Sequence, residues 1–303
     1  MQEWTEAVKD PGSLENIQAQ LESYFRFLAH LKDMITNDDC KSILIRTVDT
    51  DVVVIMIAFL PCLIYHKNEL QIMIDFGTGQ HRRLISVNKS FESLGHSLSR
   101  ALLFLHAFTG CDTTCSFYGK SKSHWSKQLK KYARQTEVIQ AFEQLSWTPH
   151  KDLVSNNVKE IEKFVNYCYG QVNEESINEA RYQIFSSLVS GKLRQIPPSR
   201  NSLILHIMRS AYQSGWIWGN TLSEMACPPV TDWGWTIHED RSRIGIVWYE
   251  KESGSDVMTL AKLIKTCKCK RSATACRNCH CSKLDFACLR FCNCKQACSR
   301  SGQ

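Results

Sequence analysis

The sequence predicts an α/β body, followed by a helical segment and a small irregular module rich in cysteine. Three observations carry this. Short β-type runs alternate with long apolar stripes in residues 1–148, the mark of strands and helices packed in layers. Apolar residues at helical spacing dominate 149–215. After a tryptophan-rich connector, 216–266, nine of the fifteen cysteines fall in the last segment, 267–303.

The first β-type run is Ile43 to Arg46, followed by a polar turn holding Asp49 and Asp51. Next comes the apolar run Val52 to Tyr65. Its β-branched residues favour a strand by propensity, and a buried helix fits its periodicity equally well. "LQIMIDFG" and "RRLISV" are two short strands around a glycine-containing turn. In "FESLGHSLSRALLFLHAFTGCDTT", Phe91, Leu94, Leu98, Ala101, Leu102, Leu105 and Phe108 recur at helical spacing. That helix should end at Gly110, just before Asp112.

Asp49, Asp51 and Asp112 thus follow a strand and a helix. Carboxylates at such ends are placed to share Mg²⁺ or Mn²⁺, and two such ions can activate water for phosphodiester cleavage. A turn aspartate, a helix cap and an Asx-turn explain the same three residues singly. The residues alone leave both readings open. Downstream, Lys120, Lys122, Lys127, Lys130 and Lys131 offer either contacts to a nucleic-acid backbone or a solvated helix face.

In 149–215, Ile161, Phe164, Val165 and Cys168 form an apolar stripe that stops at Gly170. Ser176 and Glu179 read as a capping box for the next helix, with Ile177, Ala180, Ile184 and Leu188 facing inward. Pro197 and Pro198 break the chain, and Leu203, Ile207 and Ala211 mark a third helix, closed by Gly215. His206 on it reads as a packed histidine. Five of the eight tryptophans, Trp216, Trp218, Trp233, Trp235 and Trp248, follow among prolines and glycines. They read as buried rings tying an irregular segment to the helices, with base stacking as the alternative. Val257, Leu260, Leu263 and Ile264 suggest a last short helix.

The terminal cysteines are Cys267, Cys269, Cys276, Cys279, Cys281, Cys288, Cys292, Cys294 and Cys298, with a C-x-C pair three times. An odd number leaves one thiol over if disulfides form. Thiolates this crowded repel one another unless a cation lies between them, and zinc binds four tetrahedrally. Two separate four-cysteine sites would strand one ligand. About three zinc ions sharing the nine sulfurs, three of them bridging, satisfies every position.

Charge points the same way. From Cys267 onward there are eight Lys or Arg against Asp285 alone, and the rest of the chain holds 29 basic and 29 acidic residues. The entire net charge of +7 therefore sits in the cysteine segment. Three zinc ions and nine thiolates lower it to about +4, still attractive to a polyanion. Arg277, Lys283 and Arg290 are the contacts expected for DNA, or else they solvate a small cluster. The start of the chain shows no basic stretch leading into an apolar core, and the 14-residue run Val52 to Tyr65 contains Pro61. The expectation is a soluble protein, with no membrane association, in a reducing, intracellular compartment.

The cysteine segment resembles the tesmin/TSO1-like CXC domain, a zinc module of chromatin and transcription proteins. The order of C-x-C pairs and spaced cysteines matches over Cys267 to Cys298. The resemblance implies zinc binding, DNA binding and a nuclear location. Some DNA-binding relatives place a tyrosine for minor-groove insertion where this chain has Asn278.

"RTVDTDVVVIM" and "LHAFTGCDTTCSFYGKSKSHWSK" look like the flap-endonuclease branch of PIN-like nucleases, in a form common in transposon-derived genes. The resemblance implies a partial PIN-like three-layer domain, with Asp49, Asp51 and Asp112 as Mg²⁺ or Mn²⁺ ligands. It covers residues from roughly 40 to 130. An earlier strand with its aspartate and an acidic pair before Asp49 are expected by the family and not found. Ser121 stands where a second glycine usually sits. The resemblance thus implies a truncated, catalytically degenerate nuclease-like body. The function expected is a zinc-cluster, nucleic-acid-binding protein of mobile-element origin. An active metal-dependent nuclease and a protein-interaction module with a purely structural zinc tail are the alternatives.

Overall fold

Alternation of buried Ile43 and Ile45 with exposed Ser42, Leu44 and Arg46 builds β1 (Ser42–Thr47), the period of a half-buried strand. β2 (Gln71–Phe76) lies parallel to it, with Ile43 beside Ile72 and Ile45 beside Ile74. β3 (Arg83–Ser86) returns antiparallel, with Met73 beside Ser86. The sheet order is β1-β2-β3. This computed structural model describes residues 14–37, 40–65, 67, 69–187, 195–222, 225–238 and 244–247. The protein is of mixed α/β class.

α1 (Leu14–Asn37) precedes β1. Tyr24, Leu28, Leu31 and Ile35 share one stripe of it, and the last three are buried. α2 (Thr50–Leu63) is the crossover between β1 and β2. Strand propensity is overruled here. The apolar run is too long for an ordinary strand, and Asp49 starts a helix by accepting a hydrogen bond from the Asp51 amide at 2.8 Å. Val54 to Leu60 are buried without interruption, so the helix is enclosed on all sides.

The long helix expected over residues 91–108 is two helices, α3 (Val87–Leu94) and α4 (His96–Phe108). Gly95 separates them with a φ of 77°, a conformation that costs other residues dearly. Then follow α5 (Lys122–Leu129), α6 (Gln135–Leu145) and α7 (Lys151–Cys168). α8 (Ile177–Ser187) starts where Ser176 Oγ accepts from the Asn178 amide, and Ile177 and Ala180 are fully buried. Ser199 caps α9 (Arg200–Ala211).

α9 does not close at Gly215. It runs on into a π-helical stretch, Tyr212–Trp218, with Gly215 in its middle. The glycine is there for closeness: a Cβ on it would lie 2.1 Å from Pro149 Cδ. Trp216 donates from Nε1 to the Pro149 carbonyl at 3.0 Å. Trp216, Trp218, Trp233 and Trp235 are all buried, as expected of rings that fasten an irregular segment. β4 (Trp235–Ile237) and β5 (Ile244–Ile246) form a two-stranded antiparallel sheet.

The chain divides into two units, one of residues 1–180 with 197–247, the other of 181–196 with 248–303. In the first, a single hydrophobic core runs from Leu28 to Ile244. At its centre Phe104, Phe108, Phe142, Phe164 and Trp125 meet ring to ring, with Phe104 and Phe142 at 5.1 Å. The helices α7 and α9 share that core with the sheet. In the second unit the described residues are 181–187 and 195–196. Trp248, Leu188, the helix expected around Val257 and Ile264, and the cysteine segment lie outside the described residues. Among the described residues no helix is long and apolar enough to cross a membrane.

Candidate functional site

The carboxyl ends of parallel strands leave a crevice in which α/β proteins place their sites. Here the end of β1 carries Asp49 and, one helical position inside α2, Asp51. The end of α4 carries His106, and the loop after it carries Asp112. Gly110 permits that loop: its φ is 107°, and a Cβ would lie 2.7 Å from Ser116 Cβ. α5 brings Lys122 back over the same spot. These groups line one cleft of about 270 Å³, so the fold gathers all three expected aspartates into one place.

The aspartates are not left open to one another. Asp51 Oδ1 lies 2.9 Å from His106 Nε2, both side chains being nearly buried. Tyr24, from α1, sends its hydroxyl between the two acids, 3.3 Å from Asp51 Oδ2 and 3.4 Å from Asp49 Oδ2. The other Asp49 oxygen is engaged as the α2 cap. Lys122 Nζ donates to the carbonyls of His106 at 2.8 Å and Gly110 at 2.5 Å, and to Thr109 Oγ1 at 3.2 Å. It thereby satisfies the carbonyl-rich, negative end of α4.

Burial pushes the Asp49 carboxyl above its usual range, and the charges of Asp51 and Asp112 add to that. Burial likewise raises the Tyr24 phenol, reinforced by both neighbouring carboxylates, so it stays protonated and able to donate. Burial brings Lys122 down to about 8, although Cys111 and Asp51 oppose the shift. Its ammonium still carries charge at neutral pH and acts on Asp51 through space.

A Mg²⁺ ion demands close to octahedral oxygen coordination. Among the described residues no group of three or more His, Cys, Asp or Glu side chains is placed to hold a metal ion. The carboxylates of Asp49, Asp51 and Asp112 are the oxygen donors that would hold the divalent ions implied by the nuclease resemblance, and Tyr24 and His106 engage the first two.

Tyr24, His106 and Lys122 are the site residues that the motifs miss. His106 and Lys122 sit inside the quoted segment "LHAFTGCDTTCSFYGKSKSHWSK" but not at its acidic positions. Tyr24 had a weaker signal, its place on the apolar stripe of α1. Of the lysines considered for nucleic acid, Lys120 is half-buried, and Lys122, exposed along much of its length, folds its ammonium back onto the protein. Lys120 Nζ donates to the Cys168 carbonyl at 3.1 Å and stands over the Tyr169 ring at 4.6 Å. Lys127, Lys130 and Lys131 are exposed.

His206 is buried as expected, with Nε2 2.8 Å from the Phe108 carbonyl. A larger groove, about 390 Å³, runs between α7 and α9 over Val154, Val158, Ile204 and Met208, away from the acids. The cysteines Cys267, Cys269, Cys276, Cys279, Cys281, Cys288, Cys292, Cys294 and Cys298, with Arg277, Lys283 and Arg290, lie outside the described residues. Comparison with protein-family models, curated proteins and solved structures gives no match.

Proposed function

We propose that this is a zinc-cluster, nucleic-acid-binding protein of mobile-element origin, acting in the nucleus, whose body is a degenerate, PIN-like nuclease scaffold. The observation that supports the body's part is the cleft. Asp49, Asp51 and Asp112 converge on the end of β1, as a nuclease fold would place them, yet the first two are engaged by Tyr24 and His106. Convergence speaks for the ancestry; engagement speaks against two-ion hydrolysis.

The binding part rests on the tail's composition. Nine cysteines would hold about three Zn²⁺ ions through thiolates, the donor chemistry that zinc favours. The ions would supply the fold of that segment. The basic residues Arg277, Lys283 and Arg290 would contact phosphates.

The convergence of three acids also keeps a second reading, a Mg²⁺- or Mn²⁺-dependent nuclease, open to test. The experiment is fluorescence anisotropy on labelled duplex DNA, using the zinc-loaded chain with its tail basic residues intact or with Arg277, Lys283 and Arg290 changed to Gln. Binding that weakens with salt and drops at least about tenfold in the triple variant supports the proposal. Equal binding by both proteins removes the tail from the account. Cleavage of the DNA on adding Mn²⁺ would favour the nuclease.

A further inference from the structure

A divalent-ion site gathers carboxylates around one point, often with neighbouring groups hydrogen-bonded to them. An acidic cluster of that kind repels itself when empty, and removing one charge relieves it. In the cleft at the end of β1 that repulsion persists, since the charges of Asp51 and Asp112 raise Asp49, but Asp49 and Asp51 each also meet side-chain partners.

The Tyr24 hydroxyl lies between the two acids, 3.4 Å from Asp49 Oδ2 and 3.3 Å from Asp51 Oδ2, with one proton to share between them. A close partner for the most enclosed acid is His106, 2.9 Å from Asp51 Oδ1. Positive charge comes from Lys122, whose ammonium is fixed beside the cleft by three oxygen acceptors at and just beyond the end of α4. The three side chains come from three helices, α1, α4 and α5. Asp51 sits on α2 and Asp49 is its cap, while Asp112 lies in the loop after α4.

We infer that Tyr24, His106 and Lys122 together stand in for a divalent cation beside Asp49 and Asp51, so that this part of the acidic cleft is a latch tying α1, α4 and α5 to the start of α2. The inference rests on the nuclease-like reading of the body but not on the zinc tail. Its consequence is a reversal of sign. In a cation site, neutralising an aspartate steadies the metal-free protein; in a latch, it loosens it.

The test is thermal unfolding of the zinc-loaded full chain, with and without 1,000-fold variation in added Mn²⁺ up to roughly 5 mM, a range that would reveal any site of ordinary affinity. The expected midpoint of the unaltered chain moves by less than about 1 °C with Mn²⁺. Asp51→Asn is expected to lower the Mn²⁺-free midpoint by about 4 °C or more. Tyr24→Phe, a milder change that keeps the ring, is expected to lower it by a smaller amount. A Mn²⁺-dependent rise of the unaltered chain's midpoint, abolished in Asp51→Asn, would overturn the latch. So would a rise, or no change, of the Mn²⁺-free midpoint in both variants. Either failure leaves DNA binding by the tail untouched, because anisotropy reads that separately.

Discussion

His106 Nε2 lies 2.9 Å from Asp51 Oδ1, joining α4 to the first turn of α2 across 55 residues of sequence. Both side chains are nearly excluded from water. Deleting one partner of such a pair leaves the other buried without its contact. His106→Ala is expected to destabilise the protein by about 3 kcal/mol in urea unfolding. Combined with Asp51→Asn, it should show a coupling above about 1 kcal/mol. Simple additivity of the two changes would mean that the contact contributes nothing.

Gly215 makes a second, purely steric prediction. Pro149 sits where its Cβ would be, with the ring Cδ at 2.1 Å, and proline cannot swing aside. The π-helical stretch must shift to admit even alanine. Gly215→Ala should cost about 2 kcal/mol or more, despite alanine's better helix propensity. Unchanged or raised stability by denaturant titration would contradict the packing described.

His206 gives a pH dependence. Burial, with the nearby Arg209 charge, lowers its pKa from 6.5 to about 4, while the hydrogen bond to the Phe108 carbonyl opposes this. Around the ring stand Phe108 and Phe117. Between these two pH values the unfolded chain binds a proton that the folded one refuses. Stability is therefore full above about pH 6.5 and falls as pH drops towards 4, by a total on the order of 3 kcal/mol. His206→Gln should flatten that part of the stability curve. Identical slopes for the two proteins between pH 4 and 6.5 would show that His206 does not titrate in this way.

β1, β2, β3, α7, α8 and α9 are legible from sequence because their periods are clean, whereas α1, α5, α6 and the sheet of β4 and β5 are not read from it. Ile43 and Ile45 alternate, and Ile161, Phe164, Val165 and Cys168 repeat at helical spacing. Residues 52–63 mislead because β-branched content and burial point in different directions. What decides is the cap at Asp49, a two-residue signal ahead of the run. The break at Gly95 is hidden by apolar residues that keep step across it. Gly215 reads as a stop because contact with Pro149 is a tertiary fact, set by a partner 66 positions earlier. The acids of the cleft could be named from their motif. Their partners could not, because Tyr24 and Lys122 are brought there by helices whose packing no local pattern encodes.

The central claim is that the carboxyl-terminal cysteines are zinc ligands that share their metal. Native mass spectrometry of reduced, zinc-replete protein tests it most directly. About three zinc ions per chain, lost together on chelation, are expected. A chain that carries none under those conditions contradicts it.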